Sequence, residues 1–221
     1  TAASVAAILS IIDQKKIKSV DVILPKKDKI KISINSCEFE KNKACCSVIK
    51  DGGDDPDVTH DAEIVVDLEL TSKPNSIEID GGEGVGRVTK PGIGLEIGQA
   101  AINPTPRKMI TENLTQVGKK ILEKNGIKVM ISVPKGKELG PKTDNPRIGI
   151  IDGISILGTS GIVIPYSTAS FAAAIRQQID VVVSMGDNTV VLSTGGRSED
   201  YARKILEFPE HSFIQMGDFS G

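Results

Sequence analysis

Tryptophan is absent, and Phe and Tyr bring the aromatic share of the 221 residues to only 3%. A core must therefore be built from Ile, Val, Leu and Ala, and there is almost no ring surface on which nucleic-acid bases could stack. Basic blocks are missing too, and the formal net charge is −2, so nucleic acid is not an expected partner. No apolar run reaches bilayer-spanning length and no leader pattern is visible, so a membrane is not expected either. Histidine occurs twice, and the three cysteines (Cys37, Cys45, Cys46) make neither a disulfide framework nor a chelating set. A reduced cytoplasm with no protein-bound metal is the expectation.

What is present is an ordinary apolar fraction, 39%, with 22 glycines and 11 prolines gathered into a few loops. That supports one large or two small domains with shaped loops. "AASVAAILSIIDQ" has helical apolar spacing. "VDVILP" and "KIKISI" alternate on either side of "KKD" and read as a hairpin, with "ACCSVIKD" as a third strand. In "AEIVVDLEL", Ile64, Val66, Leu68 and Leu70 face one way and Glu63, Asp67 and Glu69 the other. This is a strand with one wet face, typical of an antiparallel or mixed sheet. "NSIEID" follows as a fifth strand, then "PTPRKMITENLTQVGKKILEKNG" as a helix and "IKVMISVP" as a strand.

From Arg147 the pattern changes. "RIGIIDG", "TASFAAAIRQQIDVVVSMG", "NTVVLSTGG", "SEDYARKILE" and "SFIQMGD" read as strand, helix, strand, helix, strand, the signature of a parallel sheet. The expected fold class is α+β passing into α/β: a β-rich mixed-sheet domain over 1–145 and an α/β domain over 146–221. The last strand has no closing element behind it, so the second domain reads as incomplete.

Four loops carry candidate chemistry. "DGGEGVGRVTKPG" looks at first like a nucleotide turn, but Pro91 and the β-branched residues after Gly86 forbid the helix such a turn requires. Seven glycines between 81 and 98, interleaved with Arg87, Thr89 and Lys90, instead suggest a loop where a ligand approaches backbone closely. In "DGGDDPDVTH", an acidic turn ends in Thr59 and His60; it is either a solvated turn or a cluster in which Asp57 or His60 acts as a base. "AINPTPRKMI" puts Arg107 and Lys108 in the first turn of a helix, against the dipole, which an anionic ligand would justify. "NPRIGIIDGISILGTSGIV" is rich in small residues, for tight packing or backbone approach.

Taken together, "KDGGDDPDVTHDAEI", "GGEGVGRVTKPG", "AINPTPRKMI", "ISVPKGKELGPKTDNPRIGIIDGISILGTSGIV" and "VVLSTGGRSEDYA" resemble, in order, the successive motifs of the CbiD family. These are cobalt-precorrin-5B C(1)-methyltransferases of anaerobic cobalamin biosynthesis. The start "TAASVA" departs from the "TGTCA"-like form of the family, and the family continues beyond the "GDFSG"-like string. The resemblance implies a cytoplasmic enzyme that moves a methyl group from S-adenosylmethionine to C-1 of a tetrapyrrole. The cobalt would be carried by the substrate and not by the protein.

That chemistry fits the residues. A tetrapyrrole rich in acetate and propionate arms calls for cations on shaped loops, and Arg87, Lys90, Arg107, Lys108 and Arg147 are the candidates. For S-adenosylmethionine the better candidate is the strand–turn–helix "VVLSTGGRSED", with Thr194, Gly195, Gly196 and Glu199, and with Ser198 as helix cap. His60, oriented by Asp57, is the candidate base; His211 has no obvious polar company. The competing reading is a non-catalytic carrier of tetrapyrrole intermediates. A dinucleotide oxidoreductase is weaker, since no fingerprint in the right context survives. A homo-oligomer is compatible with everything above.

Overall fold

A computed structural model describes residues 1–217; the tail of the "GDFSG" string lies outside them. In chain order the elements are α1 (Ala2–Asp13), β1 (Ser19–Ile23), β2 (Lys29–Ser33), β3 (Ser36–Phe39), β4 (Lys43–Ile49), β5 (Glu63–Thr71), β6 (Ile77–Gly81) and β7 (Arg87–Val88). They continue with α2 (Pro104–Val117), α3 (Lys119–Leu122), β8 (Gly126–Ser132), α4 (Gly136–Leu139), β9 (Ile150–Ile151), α5 (Thr168–Ser184), β10 (Val191–Ser193), α6 (Gly196–Ile205) and β11 (Phe213–Gln215).

The first part is a five-stranded mixed sheet of order β3-β4-β5-β8-β6. All its pairings are antiparallel except β6 with β8, which a crossover through α2 and α3 makes parallel. The alternation in β5 sets its buried face: Val66 and Leu68 point into the core and pack with Ile127, Val129 and Ile131 of β8. Helix α1 lies on that face. Its alanines allow close approach, and Val5 and Ile8 pack there with Ile110 and Leu114 of α2. Each fully buried Val, Leu or Ile contributes about 1.5–3 kcal/mol, so this cluster dominates the stability of the fold.

The expected hairpin is present as β1–β2, with Val22 opposite Ile30. It is fastened to α2 by the buried amide of Asn113, whose Oδ1 accepts from Ile23 N and whose Nδ2 donates to Ile23 O, both at 2.9 Å. Three features differ from the sequence-based expectation. β3 is an additional strand, pairing Cys37 with Cys46. The long helix is broken into α2 and α3 at Gly118, where a Cβ would lie 2.9 Å from Leu114 O and 3.4 Å from Ile8. The strand expected at "RIGIIDG" is only two residues long and does not join a parallel sheet; β9 pairs antiparallel with β7. Among the described residues the parallel sheet consists of β10 and β11, flanked by α5 and α6.

The glycines find their explanation in the ribbon formed by β7 and β9. Gly84, with φ +71°, sits where a Cβ would come within 1.9 Å of Val133 O. A Cβ on Gly136 or on Gly153 would come within 2.0 Å and 2.3 Å, respectively, of Gly84 O. Three chain segments therefore meet backbone to backbone with no room for a methyl group. At these three glycines the close approach is made by the protein's own chain. A second apolar cluster, Val88, Ile93, Ala101, Ile148, Ile150 and Val181, joins the ribbon to α5.

Candidate functional site

The acidic loop between β4 and β5 is closed by its own side chains. Asp57 Oδ1 accepts from Thr59 N (2.7 Å) and Thr59 Oγ1 (2.6 Å), while Oδ2 pairs with Lys50, which also donates to Thr59 Oγ1 at 2.8 Å. Burial pushes the Asp57 carboxyl up, but Lys50 and Thr59 outweigh it and hold the group below its ordinary value. His60 Nδ1 accepts from Gly52 N at 2.9 Å, so its proton is on Nε2, 3.5 Å from Asp61. The lone pair a base would use is engaged within the loop. Asp57 and His60 lie in one loop, but Asp57 is held by Lys50 and Thr59.

The five candidate cations divide. Arg87 reaches Asp80 (NH1 to Oδ1 2.9 Å) and the carbonyl of Gly81. Burial raises the Asp80 carboxyl, yet Arg87, the Gly81 N–H and Arg107 together bring it below its ordinary value. Arg107 donates from Nε to Ile102 O (2.9 Å) and from NH1 to Ile79 O (2.7 Å). Its place at the start of α2 thus has a reason within the fold: it satisfies two carbonyls. Lys108 points outward, with Glu112 at 3.9 Å.

Lys90 and Arg147 come together. Lys90 Nζ donates to Arg147 O at 3.2 Å, and the Lys90 stem packs where a Cβ on Gly149 would be. Arg147 grips Glu199 with two bonds, NH1 to Oε1 (3.2 Å) and NH2 to Oε2 (2.9 Å). Arg203, one turn further along α6, donates to the same Oε1 from Nε (3.0 Å) and NH2 (2.7 Å). The Glu199 side chain is 6% exposed. Burial raises its carboxyl, and the two guanidiniums overcome that and hold it below its ordinary value. Both its oxygens are therefore taken by arginines.

Lys90, Arg147 and Arg203 line a pocket of about 400 Å³, together with Pro146, Gln178, Glu210, His211 and Phe213. Here the reading of His211 is corrected: its Nε2 meets Asp187 Oδ2, 24 residues earlier, and it stands among charged groups. Arg203 could have been found from the spacing E-x-x-x-R on a helix. Gln178 and Asp187 carry no local signal.

The Thr194–Gly196 turn follows the last residue of β10 and opens α6, at the other end of the parallel strands from Phe213. Gly195 has extended backbone (φ −179°) and nothing within 4 Å of where its Cβ would be. The turn is open on its outer side. Ser198 does not cap the helix as expected; the N-cap is Gly195, and Ser198 Oγ lies within the first turn, accepting from Gly195 N at 3.1 Å. Among the described residues no helix is long and apolar enough to cross a membrane.

The CbiD family model matches residues 1–165. The chain belongs to the CbiD family. It is 49% identical over 221 residues to a Geobacillus kaustophilus protein named cobalt-precorrin-5B C(1)-methyltransferase, covering all of this chain and 59% of that protein. A Picrophilus torridus protein of the same name is 45% identical, with 64% of its length covered. Among solved structures, the cobalamin biosynthesis protein CbiD from Archaeoglobus fulgidus matches 98% of this chain and 67% of its own, with 28% identity and a TM-score of 0.54. This CbiD-family chain thus spans about three-fifths of the length of the curated relatives it matches.

Proposed function

We propose that this chain is a methyltransferase that moves the methyl group of S-adenosylmethionine to C-1 of cobalt-precorrin-5B, giving cobalt-precorrin-6A. The observation that carries the reading is 49% identity, without loss of any part of the chain, to a protein of that name. Absence of a membrane-spanning helix among the described residues is compatible with a cytoplasmic setting. We further propose two functional units, 1–145 and 146–221, with the β7–β9 ribbon between the sheet and α5.

Transfer from a sulfonium requires the ring carbon, the methyl carbon and the sulfur to be in line, and water to be kept out. Little acid–base work is needed for that step, which agrees with the engagement of Asp57 and His60 inside their own loop. In this reading those two residues hold the loop's shape. The methyl donor lies at the open Thr194–Gly196 turn, where a side chain would obstruct its approach. Substrate carboxylates are drawn to Lys90 and Arg147, and to the outward-facing Lys108. Arg87 and Arg107 position the backbone beneath them. Glu199 acts from behind, holding Arg147 and Arg203 in place.

The test is direct. The chain is incubated with cobalt-precorrin-5B and S-adenosylmethionine labelled in the methyl group, and the tetrapyrrole is followed by mass spectrometry. A labelled product one methyl group heavier is expected. Retention of the tetrapyrrole with no label transferred would leave a carrier and discard the transferase.

A further inference from the structure

The pocket beside α6 gathers three cations and leaves one polar group with nothing to bind. Arg147 and Arg203 share the single carboxylate of Glu199, and Arg203 is further fixed over the Phe213 ring at 4.6 Å. Lys90 adds a third cation, whose hydrogen bond goes to a neutral carbonyl. Glu210 at the rim offsets one charge, and Asp187 is turned to His211. Gln178, on α5, is 5% exposed, and its Oε1 is buried without a hydrogen-bond partner among the described residues.

Burying an amide oxygen without a partner destabilises a fold, and such a group calls for an explanation. Gln178 lines the same pocket, so the other end of its amide can offer an N–H to an anion there. About 400 Å³ suits an amino-acid tail or one arm of a macrocycle, but not the macrocycle itself.

We infer that this pocket binds a carboxylate group of a ligand, with Lys90 as the charge partner and Gln178 as the neutral hydrogen-bonding group. The identity of the ligand rests on the proposed methyl transfer: the carboxylate is that of the methyl donor's amino-acid end or one of the tetrapyrrole's arms. The site lies at the end of the β10–β11 strands opposite the Gly195 turn, and is distinct from it.

The experiment uses the whole chain and its Lys90→Met and Gln178→Met variants, which keep the side-chain stems. Calorimetry is run with S-adenosylhomocysteine, cobalt uroporphyrin III and citrate, alongside thermal melts without ligand. Loss of a charge-assisted bond should weaken binding about tenfold or more in Lys90→Met. Gln178→Met should weaken it several-fold while raising the ligand-free Tm, because an unsatisfied amide has been removed. Weakening confined to S-adenosylhomocysteine assigns the carboxylate to the methyl donor; weakening confined to cobalt uroporphyrin assigns it to the tetrapyrrole. If citrate alone binds the wild type and the variants lose it, the pocket stands and the methyl-transfer reading falls. If S-adenosylhomocysteine and the tetrapyrrole bind the folded variants as they bind wild type, the pocket is overturned and the transferase reading survives. No binding of any probe to the wild type also overturns it.

Discussion

Helix α1 buries nine of its 12 residues, whereas α5, with 17, buries three. Both are rich in alanine and β-branched or Leu-type side chains, so composition does not separate them. Surroundings do. α1 is enclosed by the five-stranded sheet, the β1–β2 hairpin and α2, while α5 has the ribbon on one side and a two-stranded sheet on another. Between residues 157 and 183 the large side chains of Leu157, Ile162, Ile164, Tyr166, Phe171 and Val183 are all exposed. The first part of the molecule supplies nearly all of its own core, with Ile154 as the one fully buried side chain from the second. The second is held by ion pairs and a small apolar cluster, and its apolar surface is of the kind that marks contacts.

The sharpest way to break the comparison is at the glycine junction that both parts share. Gly84→Ala puts a methyl group against Val133 O at a positive φ, and it should prevent stable folding or cost several kcal/mol, roughly the upper end of single-residue effects. Urea unfolding with the midpoint unchanged would show that the segments part easily. Next come equivalent truncations in the two helices. Ile8→Ala should cost about 2–5 kcal/mol. Val183→Ala, at an exposed position of α5, should stay within about 0.5 kcal/mol. Equal costs would remove the distinction.

Replacing Glu199 with Gln removes the counter-charge of two guanidiniums that are each about a third exposed, and should cost about 1–3 kcal/mol. The pH dependence has a fixed sign. The carboxyl is held lower in the folded chain than in the unfolded one, so its stabilisation is complete above the ordinary carboxylate range. It fades as pH falls through the depressed folded value. Acid melts of wild type and Glu199→Gln should therefore converge at low pH; parallel curves would exclude this linkage. A smaller structural effect is expected at Gly195→Val, where backbone and space both accept a side chain. Its Tm should stay near wild type while affinity for S-adenosylhomocysteine falls, and unchanged affinity would move the methyl donor elsewhere. Least of all, His60→Ala should loosen the acidic loop in hydrogen exchange while turnover stays within a few-fold. A loss on the order of 10²–10⁴ would restore His60 as a catalytic base.

The parts of the fold that could be read in advance were those with a local period. β5 alternates over nine residues and α5 runs for 17, long enough for the pattern to speak. β7 and β9 have two residues each and meet across about sixty residues of sequence, so no window of the sequence contains their signal. The same holds at the site. The cations were legible as residue types, but not that Arg107 would be occupied by carbonyls or that Arg147 would meet Glu199. His211 looked isolated because Asp187 reaches it only after β10, α6 and the intervening turns have placed the two side by side.

The meeting of Gly84, Gly136 and Gly153 also fixes how the ribbon can move. With backbone touching backbone, the three segments cannot slide past one another, because any shift drives a carbonyl into a neighbouring chain. The strip that follows, carrying Arg87 and Lys90, is tied down beyond that point as well. Gly98 N donates to Val88 O at 2.8 Å, Ile93 is buried beside Val181 of α5, and a Cβ on Gly92 would lie 2.6 Å from Asp180 O. The two cations are thus held in register from both ends, and the open space around Gly94 leaves only the turn itself unconfined.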